Sequence, residues 1–286
     1  MTPPSAWRID GRDWPNREAS RFIMAGGVRW HVQVSGNGPV VLLLHGTGAA
    51  THSWRDLAPR LAERFTVVVP DLPGHGFTSA LGAPTLPAMA RAVGDLLAAL
   101  EVTPALIVAH SAGAAVALQL GGRAPVISFN GALLPFPGPA ARLFPALAKL
   151  LFVNPVVPAI AALQARAPGV VERFLIRATG SHIDARGTEL YTRLFRHREH
   201  VAAALAMMAN WDLATFAAGL PHVTAPLLLI DADRDAAVPP SVAREVAGLV
   251  PGAMTLTMPD LGHLSHEEDP AAAVRIILDA AAAWGI

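Results

Sequence analysis

Short, uninterrupted apolar runs recur along the chain, separated by segments long enough for helices. Val40–Leu44, Val67–Val69, Leu106–Ala109 and Leu227–Ile230 carry no polar residue, and Val126–Phe129 is broken only by Ser128. Such runs suit strands covered on both faces, as in a mostly parallel sheet with helices on either side. Val28–Val34 alternates in part and reads as an early antiparallel strand, while Met254–Met258 reads as a weaker late one. The intervening segments predict helices over Ser53–Arg64, Pro87–Leu100, Ser111–Leu120, Ser241–Leu249 and Pro270–Trp284. Pro240 and Pro270 stand at helix starts, where a missing N–H costs little. Strand and helix in alternation predict an α/β fold with a mostly parallel central sheet.

The alternation stops between Pro135 and Leu220. Residues 135–220 therefore read as a helical cap inserted into a core formed by 1–134 and 221–286. Leu143–Leu163 is the most apolar stretch, interrupted by Lys149, Asn154 and prolines. Pro145, Pro155 and Pro158 would break a spanning helix. The stretch reads either as the cap's own core or as a greasy lid that admits a large apolar ligand or touches a membrane surface.

Composition narrows the choice. Of the 286 residues 52% are hydrophobic and 15% charged, ample for a packed core. The 22 basic and 22 acidic residues cancel, so nothing draws the chain to nucleic acid. Lys149 is the sole lysine and follows no glycine-rich loop, which excludes a P-loop ATPase. The absence of cysteine excludes disulfides, a thiol nucleophile and thiolate metal sites. Met1–Arg21 is studded with charge and has no apolar signal core, so a soluble cytoplasmic protein is expected, at most peripheral to a membrane.

Four strand ends carry candidate chemistry. In Ala109-His110-Ser111-Ala112-Gly113 a buried run turns into a small-residue helix, the setting of a nucleophile elbow. The plainer reading is a serine capping that helix. After Val40–Leu44 comes His45-Gly46-Thr47-Gly48, where the N–H of Thr47 would pair with that of Ala112 to hold an oxyanion. A glycine turn is the rival; a dinucleotide loop lacks its third glycine. Beyond Leu227–Ile230 three carboxylates compete to orient a histidine: Asp231, Asp233 and Asp235. After the last strand, His263 follows Gly262 and suits the base that a serine nucleophile needs. His263, His266, Glu267 and Glu268 also admit a metal site, against which a helix-start acidic cluster is weighed. His45, Gly46, His110, Trp54, Met207, Met208 and Trp211 are candidates for the substrate pocket, with methionine suiting an adaptable apolar wall.

Serine, acid and histidine stand in the chain order of the α/β-hydrolases, which the whole chain resembles. His45-Gly46, the Asp71–Gly76 loop, the Ser111 elbow, Asp235 before Val238-Pro239, and Gly262-His263 carry the likeness. Ala109 stands for the elbow's first glycine. The family pattern implies Asp235 as the acid, although Ala232 replaces a glycine there and leaves Asp233 as a rival. It also implies a structural role for the Asp71–Gly76 loop. More specific phrases are Trp14–Phe22, His45–Asp56, Asp71–Ser79, His110–Ala115, Ala206–Met208 and Trp211–Leu213. From about residue 14 to the C-terminus these resemble the subfamily of magnesium chelatase accessory proteins, encoded with bacteriochlorophyll biosynthesis genes. That resemblance implies a serine hydrolase acting on a bulky apolar carbonyl compound. Its alternative is a non-catalytic accessory protein that binds a porphyrin or chelatase subunits. Neither needs a cofactor or a metal. Dehalogenase chemistry would want an aspartate where Ser111 stands.

Overall fold

The computed structural model describes residues 4–135, 154 and 156–286. Eight strands form one sheet: β1 (Ser20–Ala25), β2 (Val28–Ser35), β3 (Val40–Leu44), β4 (Thr66–Pro70), β5 (Leu106–His110), β6 (Val126–Phe129), β7 (Leu227–Ala232) and β8 (Met254–Met258). Their order is β1-β2-β4-β3-β5-β6-β7-β8. β2 runs antiparallel to β1 and to β4, and all other pairs are parallel.

The apolar runs are buried on both faces for the reason their composition implies. Leu42 and Leu44 of β3, with Ile107 and Ala109 of β5, join the core on one face. Val41, Leu43, Leu106 and Val108 alternate onto the other. The helices in chain order are α1 (Ser5–Asp10), α2 (Ala58–Leu61), α3 (Leu86–Ala99), α4 (Ala112–Leu120), α5 (Val156–Gln164), α6 (Val170–Thr179), α7 (Ala185–Phe195), α8 (Arg198–Asn210), α9 (Leu213–Gly219), α10 (Ser241–Leu249), α11 (Ser265–Glu268) and α12 (Pro270–Ala283). α3, α4 and α10 cover the first face; α2 and α12 cover the second. Helices α5 to α9 all lie between β6 and β7 in the chain. Most of Leu143–Leu163 lies outside the described residues. Among the described residues no single helix is long and apolar enough to cross a membrane.

One expectation needs correction, and one strand went unread. Ser53–Arg64 is not one helix but a 3-10 turn over Thr51–Trp54 followed by the short α2. Pro59 cannot donate to the carbonyl of Arg55, and tertiary ties govern the turn: Thr51 N–H is held by Asp71 Oδ1 at 2.7 Å, and Arg55 reaches Glu267 and Asp184. Strand β1 carries no sequence signal because it is a half-exposed edge strand, with only Ala25 buried.

The Asp71–Gly76 loop is held from within. Asp71 accepts from the N–H of Thr51 and Phe77 and pairs with His31 at 2.7 Å. Burial pushes its carboxyl up, but His31, His45 and the Phe77 N–H outweigh this and hold it at about 2.

Candidate active site

β5 ends in a sharp turn at Ser111, which takes φ 51° and ψ −119°, a strained conformation for a residue with a Cβ. The turn is tight because α4 starts against the end of β3. A Cβ on Gly113 would lie 2.4 Å from the Leu44 carbonyl oxygen and 2.6 Å from that of His45. Ser111 occupies the N-cap position, yet its side chain makes no cap hydrogen bond. Its hydroxyl instead donates to His263 Nε2 at 2.9 Å, so the plainer reading of a capping serine does not hold.

His263 Nδ1–H donates to Asp235 Oδ2 at 2.8 Å. The other oxygen of Asp235 accepts from the N–H of Ala237 and of Val238, both at 2.8 Å. This resolves the three-way competition on the loop after β7. Asp233 is exposed, and Asp231 lies still within β7, its carboxyl raised by burial. The side chains of His263 and Asp235 are 8% and 1% exposed, so their pairing is largely shielded from water.

The His263 loop is clamped on every side. His263 N–H donates to the Thr179 carbonyl at 2.8 Å, and that carbonyl also accepts from Ala236 N–H on the acid loop at 3.3 Å. Leu264 N–H donates to Ser181 Oγ, and Gly262 N–H to Glu268 Oε1. Gly262 packs so closely that a Cβ would lie 2.5 Å from Gly180 and Ser181. His110 Nε2–H donates to the His263 carbonyl at 2.9 Å.

Among the described residues, the backbone N–H groups of Thr47 and Ala112 have no hydrogen-bond acceptor. Gly46 brings the first of these loops against the elbow: a Cβ there would meet Ser111 Cβ and His110 Nδ1 at 2.9 Å. His45 fixes that loop from behind, donating Nδ1–H to Gly46 O and accepting Leu72 N–H at Nε2, each at 2.8 Å. The Thr47 hydroxyl faces Met207 Sδ at 3.4 Å, and Met207 is 1% exposed.

The remaining pocket candidates differ in their surroundings. Trp54 is wholly buried in the core on the α2 face and stacks on His266 at 4.5 Å, so it backs the site rather than lining it. Met208, one residue from Met207, is rotated outward and 46% exposed. Trp211 is half-buried, with its indole N–H donated to Pro84 O at 3.0 Å. His110 is buried under His263 and holds it.

Nor do the acidic neighbours of His263 gather as metal ligands. His266 faces Ser53 at 2.8 Å, and Glu267 accepts from Ser53, Tyr191 and Arg55. Burial drives His266 down to about 3 and Glu267 up to about 6. Sequence reasoning missed this network, and it missed Asn130 at the end of β6, whose amide reaches Asp235 at 2.9 Å. The signal was slight: a polar Asn-Gly pair closing an apolar strand.

Fold and site together define the class. The family model described as alpha/beta hydrolase family matches residues 41–276, and the chain belongs to that family. Among individual proteins, the magnesium-chelatase 30 kDa subunit of Rhodobacter capsulatus is 41% identical over 266 residues, covering 89% of this chain and 92% of the relative. The pimeloyl-[acyl-carrier protein] methyl ester esterase of Chromobacterium violaceum is 32% identical, covering 83% of this chain and 93% of the esterase. A crystal structure of an alpha/beta hydrolase fold protein from Burkholderia ambifaria superposes with a TM-score of 0.77 at 22% identity, covering 91% of this chain and 97% of the other, which speaks for the fold alone.

Proposed function

We propose that the chain is a serine hydrolase that cleaves an ester, or a related carbonyl compound, of a bulky apolar molecule in bacteriochlorophyll biosynthesis. The observation that carries this reading is the unbroken hydrogen-bond chain Ser111–His263–Asp235 beside two uncommitted N–H groups. In this reading Ser111 Oγ attacks the carbonyl carbon while His263 Nε2 takes its proton. Asp235 holds His263 in the tautomer that accepts at Nε2 and stabilises the imidazolium. The oxyanion forms between Thr47 N–H and Ala112 N–H, where one such donor is worth about 3 kcal/mol of barrier. His263 then passes the proton to the leaving alcohol, and water releases the acyl group by the same route in reverse. Met207 beside Thr47 supports an apolar wall over this position.

A fluorophosphonate probe tests the reading. Ser111 should be labelled, and His263→Ala should abolish labelling. A folded chain that stays unlabelled at high probe concentration contradicts it.

The similarity to a protein named as a magnesium-chelatase subunit favours a second reading, a non-catalytic accessory that binds a porphyrin or the chelatase. Complementation of a deletion strain with Ser111→Ala, with tetrapyrrole intermediates quantified, separates the two. Restored pigment favours binding; accumulation of an uncleaved intermediate favours hydrolysis. Exposed Val156, Ile160 and Leu163, spaced along one face of α5, support peripheral contact of the helical insertion with a membrane surface.

A further inference from the structure

The turn that ends β6 meets Ser111, Asp235 and the residues flanking His263. Ser111 donates its backbone N–H to Phe129 O at 3.0 Å, and its own carbonyl accepts from Ala132 N–H at 3.1 Å. Between these two tethers stands Asn130, 3% exposed, with φ 49°. Its backbone N–H extends the β6–β7 pairing by donating to Ile230 O at 2.7 Å. Its side-chain amide donates to Asp235 Oδ2 at 2.9 Å and to Gly262 O at 3.5 Å, and accepts from the Ser265 hydroxyl at 2.6 Å. Those partners also fix the orientation of the amide. A carboxylate and a carbonyl can only accept, so the nitrogen faces them and the oxygen faces the hydroxyl.

We infer that Asn130 is a positioning residue for the proposed hydrolysis: it sets the acid loop and the histidine loop at the one separation that lets His263 bridge Asp235 and Ser111. This rests on the reading of Ser111 as nucleophile. Asp235 Oδ2 takes both the His263 Nδ1–H and the Asn130 amide, while Oδ1 takes two backbone N–H groups. Four donors on one buried carboxylate leave it a single orientation, and charge-assisted bonds of this kind are the stronger ones. Without the amide, one lone pair of Asp235 loses its partner. Gly262 and Ser265, on either side of His263, lose their common anchor as well.

The competing explanation is that asparagine stands here only because it tolerates a left-handed backbone. Asn130→Gly separates the two, since glycine keeps that backbone without strain and removes only the amide. The test is nitrogen NMR of the histidine rings in the full-length chain. The His263 signals are identified by their loss in His263→Gln, and labelling of Ser111 by a fluorophosphonate is timed alongside. In the wild type His263 should show one tautomer, protonated at Nδ1. In Asn130→Gly it should show a mixture, with labelling slowed roughly 10-fold or more, because small misplacements of reacting groups are costly. Ser265→Ala should move both readouts the same way by less. A single, unchanged tautomer in Asn130→Gly overturns the proposal, whether labelling is normal or slowed. If the wild type takes no label, the hydrolase reading falls, and the ring spectrum still decides the role of Asn130. If Asn130→Gly does not fold, Ser265→Ala decides by the same tautomer readout.

Discussion

Oδ2 of Asp235 lies 2.8 Å from Nδ1 of His263, while Asp233, two residues earlier on the same loop, points into solvent. Asp235→Asn should therefore lower the rate of Ser111 labelling by ~10³–10⁴-fold, because an amide no longer selects the productive tautomer. Asp233→Asn should change it less than twofold. Equal damage from both would show that the loop acts through its net charge and not through one hydrogen bond.

Gly113 and Gly94 both lie in helices, yet they should respond oppositely to alanine. On Gly113 the new Cβ meets backbone oxygens of Leu44 and His45 that cannot swing away. We expect Gly113→Ala to cost ~1–3 kcal/mol and to displace the elbow, with labelling lost alongside. On Gly94 in α3 the nearest atom is Leu120 Cδ1 at 3.5 Å, an ordinary contact. Gly94→Ala should leave labelling intact and raise stability by about 0.5–1 kcal/mol. Thermal melts of the two variants check this.

Stability should fall as the solution is acidified below neutrality. His200, bonded to Gly76 N–H and Gly48 O, is lowered to about 4 by burial, and His266 to about 3. A histidine with a depressed folded value contributes stability that is present above its unfolded value, near 6.5, and is lost as pH falls towards the folded value. By pH 5 each should cost roughly 2 kcal/mol. Buried His45, His52, His75 and His110 are lowered too and act in the same direction. Glu267 opposes them. Raised to about 6, it favours the fold below its unfolded value and withdraws that support as pH rises through about 6. Asp231, raised by burial, acts in the same direction as Glu267, but two carboxyls do not offset six lowered histidines, so the melting temperature should drop between pH 7 and pH 5. His200→Gln, which keeps a donor and an acceptor but does not titrate, should flatten the slope. A melting temperature that rises on acidification would refute this assignment.

Trp211 offers a reporter for a large flat ligand. Its indole is anchored to Pro84 O, and it follows α8, the helix that presents Met207 to Thr47. Titration with protoporphyrin, or its magnesium form, should quench tryptophan fluorescence, and Trp211→Phe should remove most of the change. Rapid turnover of short-chain esters with no quenching at high porphyrin concentration would favour a small-ester hydrolase.

Most of the sheet was legible in the sequence because β3 to β7 are covered on both faces and must be largely apolar. β1 was not, since an edge strand with one wet face needs no such run. The order of Ser111, Asp235 and His263 was legible for a related reason: each follows a strand, and the parallel sheet brings those strand ends to one edge. What stayed hidden depends on contacts between distant residues. Asn130 reaches partners 105 and 132 positions away, and no local pattern encodes that. Trp54 was misplaced for the same reason, because periodicity does not say which way a loop-borne ring turns.

The Thr179 carbonyl, at the end of α6, receives an N–H from the acid loop and another from the histidine loop. Gly180 follows with φ 71°, and a Cβ there would lie 2.2 Å from Arg234 O. The inserted helices are thus soldered at this corner to the edge of the sheet that carries Asp235 and His263. They cannot be exchanged as an interchangeable lid: a chimaera that borrows another protein's insertion must also reproduce this corner or forfeit the alignment beneath it.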